Sequence, residues 1–111
     1  MGPVAPQLEV ALDAGRPGWA VLSLRGAFGG REQLWALAEL LLELLTTGVV
    51  VVSVDARGVD VLGEEACRLL AETGTLLRDE DGHLVVTVAS AAAARALRTH
   101  DGVRPGDVLS A

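Results

Sequence analysis

The chain has 111 residues, enough for one domain and too few for two, and half of them are apolar, enough for a core. Its formal net charge of −6 argues against the basic surface that a nucleic-acid binder needs to release counterions from phosphates. All nine cations are arginine, while lysine, asparagine, isoleucine and tyrosine are absent. Those four residues have AT-rich codons, so the pattern reads as the coding bias of a GC-rich bacterial genome and not as a preference for phosphate.

Residues 1–6 form a short Gly/Pro-bearing tail without a basic-then-apolar leader, and residues 7–111 read as the domain. Leu8 to Asp13 alternates apolar and polar positions, as a half-buried strand does. Ala14 to Gly18 is a turn signal, and Trp19 to Leu24 is a second strand with Ala20, Leu22 and Leu24 on one face. Gly26 to Gly30 is expected to be a flexible loop leading into a helix from Arg31 to Thr47. At 100° per residue, Leu34, Leu37, Ala38, Leu41, Leu44 and Leu45 share its inner face, with Trp35 and Leu42 on one flank and Leu40 on the other. That apolar arc is wider than packing on a single sheet requires.

Gly48 caps the helix, and Val49 to Val54 is a β-branched run interrupted only by Ser53, expected to be a central parallel strand covered on both faces. Asp55 to Gly63 is expected to be a loop at its carboxyl end. A second helix from Glu64 to Arg78 would bury Ala66, Cys67, Leu70, Thr73 and Leu77, although Gly74 weakens it by about 1 kcal/mol and leaves an earlier end open. Asp79 to Gly82 is an acidic turn, and Leu84 to Val88 is another buried strand. Ser90 then caps a helix to Thr99, and Val103 to Ser110 would add a final short strand. The order β-β-α-β-α-β-α(-β) implies a mixed α/β sheet with right-handed crossovers behind an initial hairpin.

Chemistry is sparse. Gly26 to Gly30 has neither P-loop nor dinucleotide spacing, and no cofactor is expected. His83 and His100 stand apart from each other and from Cys67, so no metal site is expected. Cys67 is the only cysteine, which rules out an intrachain disulfide, and it reads as a small core residue within a helix. The most apolar stretch, Leu34 to Leu45, is interrupted by Glu39 and Glu43 and is too short to span a bilayer, so the expected compartment is the cytoplasm. Nothing here assembles a catalytic constellation, and the chain is expected not to be an enzyme.

The informative stretch runs from the Val49–Val54 strand through Asp55, Arg57, Gly58, Val59, Asp60 and an apolar pair to Gly63, Glu64, Glu65 and Arg68. This layout resembles the STAS family, in which a strand ends in aspartate, a Gly-Val-Asp turn follows, and an Asp-Ser-Ser/Thr-Gly-Leu motif opens a helix. Gly26 matches the glycine after that family's second strand, and the resemblance spans about Leu8 to Leu109. It implies a single STAS-like domain that acts by binding protein, as bacterial anti-sigma factor antagonists do. In that family an anti-sigma factor kinase is the partner and phosphorylates the first serine of the motif, which breaks the complex. Here the motif departs at the switch: its aspartate falls on Gly63, its phosphorylated serine on Glu64 and the next serine on Glu65. The aspartate usual in the loop after the second strand is lost near Gly29.

Glu64 and Glu65 are first-turn carboxylates worth about 0.3–1 kcal/mol each to the helix dipole. That is one reading; in the other, which the resemblance implies, they also stand where a phosphate would add its charge and imitate part of the phosphorylated state. The resemblance therefore implies partner-binding or regulatory roles for Asp55, Arg57, Gly58, Asp60, Gly63, Glu64, Glu65 and Arg68. It implies an anti-sigma factor kinase or a related signalling protein as partner, with a homodimer left open and neither nucleic acid nor membrane involved. Two other functions stand beside it. A scaffold or accessory subunit would use Trp35, Leu42 and Trp19 as contacts, with Gly29 a further candidate contact. A small-ligand or nucleotide binder would use the strand ends around Asp55 to Gly63.

Overall fold

The computed structural model describes residues 7–12 and 16–99. It contains β1 (Gln7–Leu12), β2 (Trp19–Phe28), α1 (Arg31–Thr46), β3 (Val51–Leu62), α2 (Glu64–Asp79), β4 (His83–Ala89) and α3 (Ala91–Thr99). The sheet order is β1-β2-β3-β4, with β1 antiparallel to β2 and the other neighbours parallel. This is the mixed α/β sheet expected from the sequence. The final strand expected at Val103 to Ser110, the tail 1–6 and His100 lie outside the described residues.

Both crossovers step the same way across the sheet, so right-handed connections put their helices on one face. The burial agrees. Ala20, Leu22, Leu24 and Phe28 of β2, Val52, Val54, Ala56, Val59 and Leu62 of β3, and Leu84 and Val86 of β4 form one cluster. Leu37, Leu41 and Leu44 of α1 and Ala66, Cys67, Leu70 and Leu77 of α2 belong to the same cluster. Leu34 and Leu45, expected inside, are only partly buried against it.

The β-branched run does form the central strand, but only one of its faces is covered by helices. On the other face Val51 is buried yet stands outside the main core. The register places it between Trp19 of β2 and His83 of β4, whose rings meet edge to face at 6.4 Å. Arg16 adds its guanidinium over the Trp19 ring at 4.6 Å. A small second cluster therefore protects one end of the open face.

Chain reversals follow local chemistry. Gly48 adopts φ +85, which lets Val49 N–H donate back to Leu44 O at 3.3 Å and close α1. Val49 is thus spent on the helix end, and β3 begins at Val51 instead. Ser90 Oγ accepts from Ala93 N–H at 3.1 Å as the N-cap of α3 and donates to Val59 O at 2.6 Å, tying α3 to the far end of β3.

Two segments expected to be loops are strands. Gly26, Ala27 and Phe28 continue β2, and residues 55–62 continue β3, paired Gly26↔Val59, Ala27↔Val61 and Phe28↔Leu62. The pairing survives because β3 carries two extra residues, one between Asp55 and Gly58 and one between Val59 and Val61. Such bulges absorb unpaired residues and redirect side chains without ending the ladder.

α2 passes through Gly74 and reaches Asp79. Gly74 is buried over β4, and a Cβ there would meet Leu84 Cβ at 3.8 Å, an ordinary contact. Gly74→Ala should therefore recover helix propensity without a clash and stabilise the domain by about 1 kcal/mol. A rise in the urea midpoint at constant m is the expected readout; a fall would show that the α2–β4 packing is tighter than this spacing.

Candidate functional site

Strand β3 delivers the candidate residues, and its bulges divide them. Asp55, Arg57, Gly58 and Asp60 line a recess of about 600 Å³ on the open side of the sheet, together with Gln7, Ser23, Leu24, Arg25 and Gly26. Within it Asp55 accepts the Arg57 backbone N–H at 3.0 Å, and Arg57 Nη2 lies 3.2 Å from the other carboxylate oxygen. The backbone N–H is the main cause that holds the Asp55 carboxyl below its ordinary pKa; partial burial opposes it, and the Arg57 and Arg25 charges add to the lowering. Gly58 gives the Arg25 stem its room, since a Cβ there would sit 3.0 Å from Arg25 Cγ.

Gly63, Glu64, Glu65 and Arg68 do not line that recess. They belong to the end of the sheet, where β2 and β3 finish side by side. Gly63 N–H donates to Phe28 O at 3.0 Å, and a Cβ on Gly63 would lie 3.1 Å from that oxygen and 3.4 Å from Gly29 Cα. Gly63 therefore suits this crossing, and Gly29, singled out as a contact, sits against it.

The close approach costs α2 a side-chain cap, because Gly63 offers no hydroxyl or carboxylate to the first turn. Glu64 and Glu65 supply acidic groups there in its place. The Glu64 side chain is 79% exposed and its carboxylate is 3.9 Å from Arg68 Nη2, a loose surface pair that leaves the charge available to a partner.

Cys67, one turn further on, is buried, and burial pushes its thiol up, with the Glu64 charge acting in the same direction. Such a thiol is a poor nucleophile at neutral pH. Among the described residues no group of three His, Cys, Asp or Glu side chains could hold a metal, and no helix is long and apolar enough to cross a membrane. Trp35 and Leu42 are 65% and 62% exposed on α1, and neither lines the recess. Sequence reasoning missed Arg25, Ser23 and Gln7 as recess residues; only the β1-β2-β3 pairing brings them beside Asp55 and Gly58.

No family model matches the sequence, and no curated protein matches it. Among solved structures, the chain is similar to the anti-sigma factor antagonist SpoIIAA in its unphosphorylated form. The likeness covers 96% of this chain and 88% of that one, with a TM-score of 0.75 and 13% sequence identity. The fold is STAS-like.

Proposed function

We propose that this chain is a non-enzymatic regulatory module that binds a protein partner in the manner of an anti-sigma factor antagonist, with a permanent charge where a serine switch would stand. The observation that carries the proposal is the exposed Glu64 in the first turn of α2, beside the Gly29–Gly63 crossing of a STAS-like fold. Gly63, Glu65 and Arg68 complete that contact surface at the end of the sheet, and Asp55, Arg57, Gly58 and Asp60 would form a second contact patch at the recess on the open side. The expected partner is an anti-sigma factor kinase or a related signalling protein, met in the cytoplasm of a bacterium. A small-ligand role for the recess has less support, because Asp55 is already engaged by Arg57.

A partner surface shaped for a neutral serine would have to bury Glu64 without a cation, which is costly. Glu64→Ser should then strengthen binding to an anti-sigma factor kinase by tenfold or more, about 1.4 kcal/mol. Glu65, about 100° further round the helix, should matter less. A dedicated partner with an arginine opposite Glu64 would give the reverse sign, largest at low salt. Titration calorimetry on wild type and variant decides; equal affinities would reduce both glutamates to helix-dipole residues and sink the proposal. Incubation with ATP and the kinase should leave residues 55–70 unmodified, since that segment holds no Ser, Thr or Tyr.

A further inference from the structure

Three large apolar side chains that no part of the core claims fall along one seam. On α1, Glu32, Gln33 and Ala36 border a hollow with Leu8 and Phe28, so that flank faces β1. At 100° per residue Leu34, Ala38 and Leu45 lie opposite that flank, turned towards α2, and Trp35 and Leu42 stand next to them on the solvent side. On α2, Gly74 lies over Leu84 of β4, so the flank carrying Leu69 and Leu76 is turned back towards α1. Leu69 is partly buried and Leu76 is 52% exposed. The two helices pack side by side and both run against the parallel strands.

Each helix therefore offers a pair seven residues apart, Trp35 with Leu42 and Leu69 with Leu76, separated along the axis by about 10.5 Å. Singly exposed apolar residues need no explanation. Two facing rows with the repeat of a helix make a groove that a third helix can fill through its own i, i+3, i+4 and i+7 positions. Tryptophan is a favoured anchor in such contacts, and Trp35 stands at one end of the α1 row. Glu39 on α1 and Glu65 and Glu72 on α2 are exposed on the outer side and outnumber the two exposed arginines there, Arg31 and Arg68, of which Arg68 is turned to Glu64. The net charge of the chain is −6. A second copy would bring like charge to like charge, whereas a basic helix would find complementary charge.

We infer that the α1–α2 groove docks a basic amphipathic helix of a partner protein. The inference does not rest on the role proposed for Glu64. Its test uses Trp35 as reporter in a Trp19→Phe background. The probe is a synthetic helical peptide of about 18 residues, roughly five turns, with leucines on one stripe and lysines elsewhere, and a control carries glutamates in place of the lysines. Adding the basic peptide should move the Trp35 emission to the blue and saturate. Leu42→Glu and Leu76→Glu should each weaken binding at least tenfold. The acidic control should bind at least tenfold more weakly, and sedimentation should show a monomer. No emission shift, equal binding of both peptides, or binding indifferent to Leu76→Glu would overturn the inference. So would a concentration-dependent dimer that Leu42→Glu abolishes, which would make a second copy the occupant.

Discussion

Phe28→Ala is expected to lower the unfolding free energy by about 3–5 kcal/mol, the range for deleting a buried aromatic ring. Phe28 is 2% exposed, pairs with Leu62 at the last rung of β2–β3, and belongs to the cluster that joins the sheet to the helices. A hollow of about 170 Å³, bounded by Phe28, Leu8 and α1, already lies beside it. Truncation would enlarge that space, and the penalty grows with whatever volume fails to collapse. For a domain near this size each kcal/mol shifts the melting temperature by about 4–8 °C, so a fall of well over 10 °C is expected. Urea unfolding should show a lower midpoint with an unchanged m-value. The same substitution reaches the candidate site, since Phe28 O holds the Gly63 N–H in front of Glu64. Amide shifts at Gly63 to Glu65 should therefore move in NMR spectra. A loss below about 1 kcal/mol, the size of an ordinary surface change, would mean that Phe28 is not part of the packed core.

Gly82→Ala should also destabilise the domain, for a different reason. Gly82 closes the turn after α2, donating its N–H to Leu77 O at 2.7 Å, and its neighbour His83 donates to Val50 O at 2.9 Å. A Cβ on Gly82 would overlap that same Val50 carbonyl oxygen, which is backbone and cannot swing aside. The chain must shift at the first rung of β3–β4, Val51↔His83, and overpacking of this kind costs about 1–3 kcal/mol or more. Alanine returns only about 0.4–1 kcal/mol by narrowing the unfolded ensemble, so the clash wins. Hydrogen exchange should report it locally, with faster exchange at His83 and Val85. Gly74→Ala, buried a short distance away, provides the opposite sign in the same assay. If both substitutions stabilised the protein, the close approach at Gly82 would be wrong.

Much of the architecture was legible because its causes are local. The heptad-like leucines of residues 34–45 specify a helix with Leu37, Leu41 and Leu44 inward, and they bury as expected. Ala66, Cys67, Leu70, Thr73 and Leu77 likewise form the inner face of α2. The absence of any hydroxyl between residues 55 and 70 is a property of the sequence and needs no structure.

What the sequence could not decide depends on partners distant along the chain. Gly26, Gly58 and Gly63 are turn-forming residues taken alone, so residues 26–30 and 55–63 read as loops. Tertiary pairing overrides that preference, because β2 and β3 satisfy each other's backbone groups across two bulges. Those bulges place Asp55, Arg57, Gly58 and Asp60 around a recess with Arg25, and leave Glu64 and Glu65 at the end of the sheet. The same holds for the apolar flank of α1. Its width was visible in the sequence, but its place beside α2 arises only when two crossovers lay α1 and α2 side by side, a packing of segments distant along the chain that no local pattern encodes.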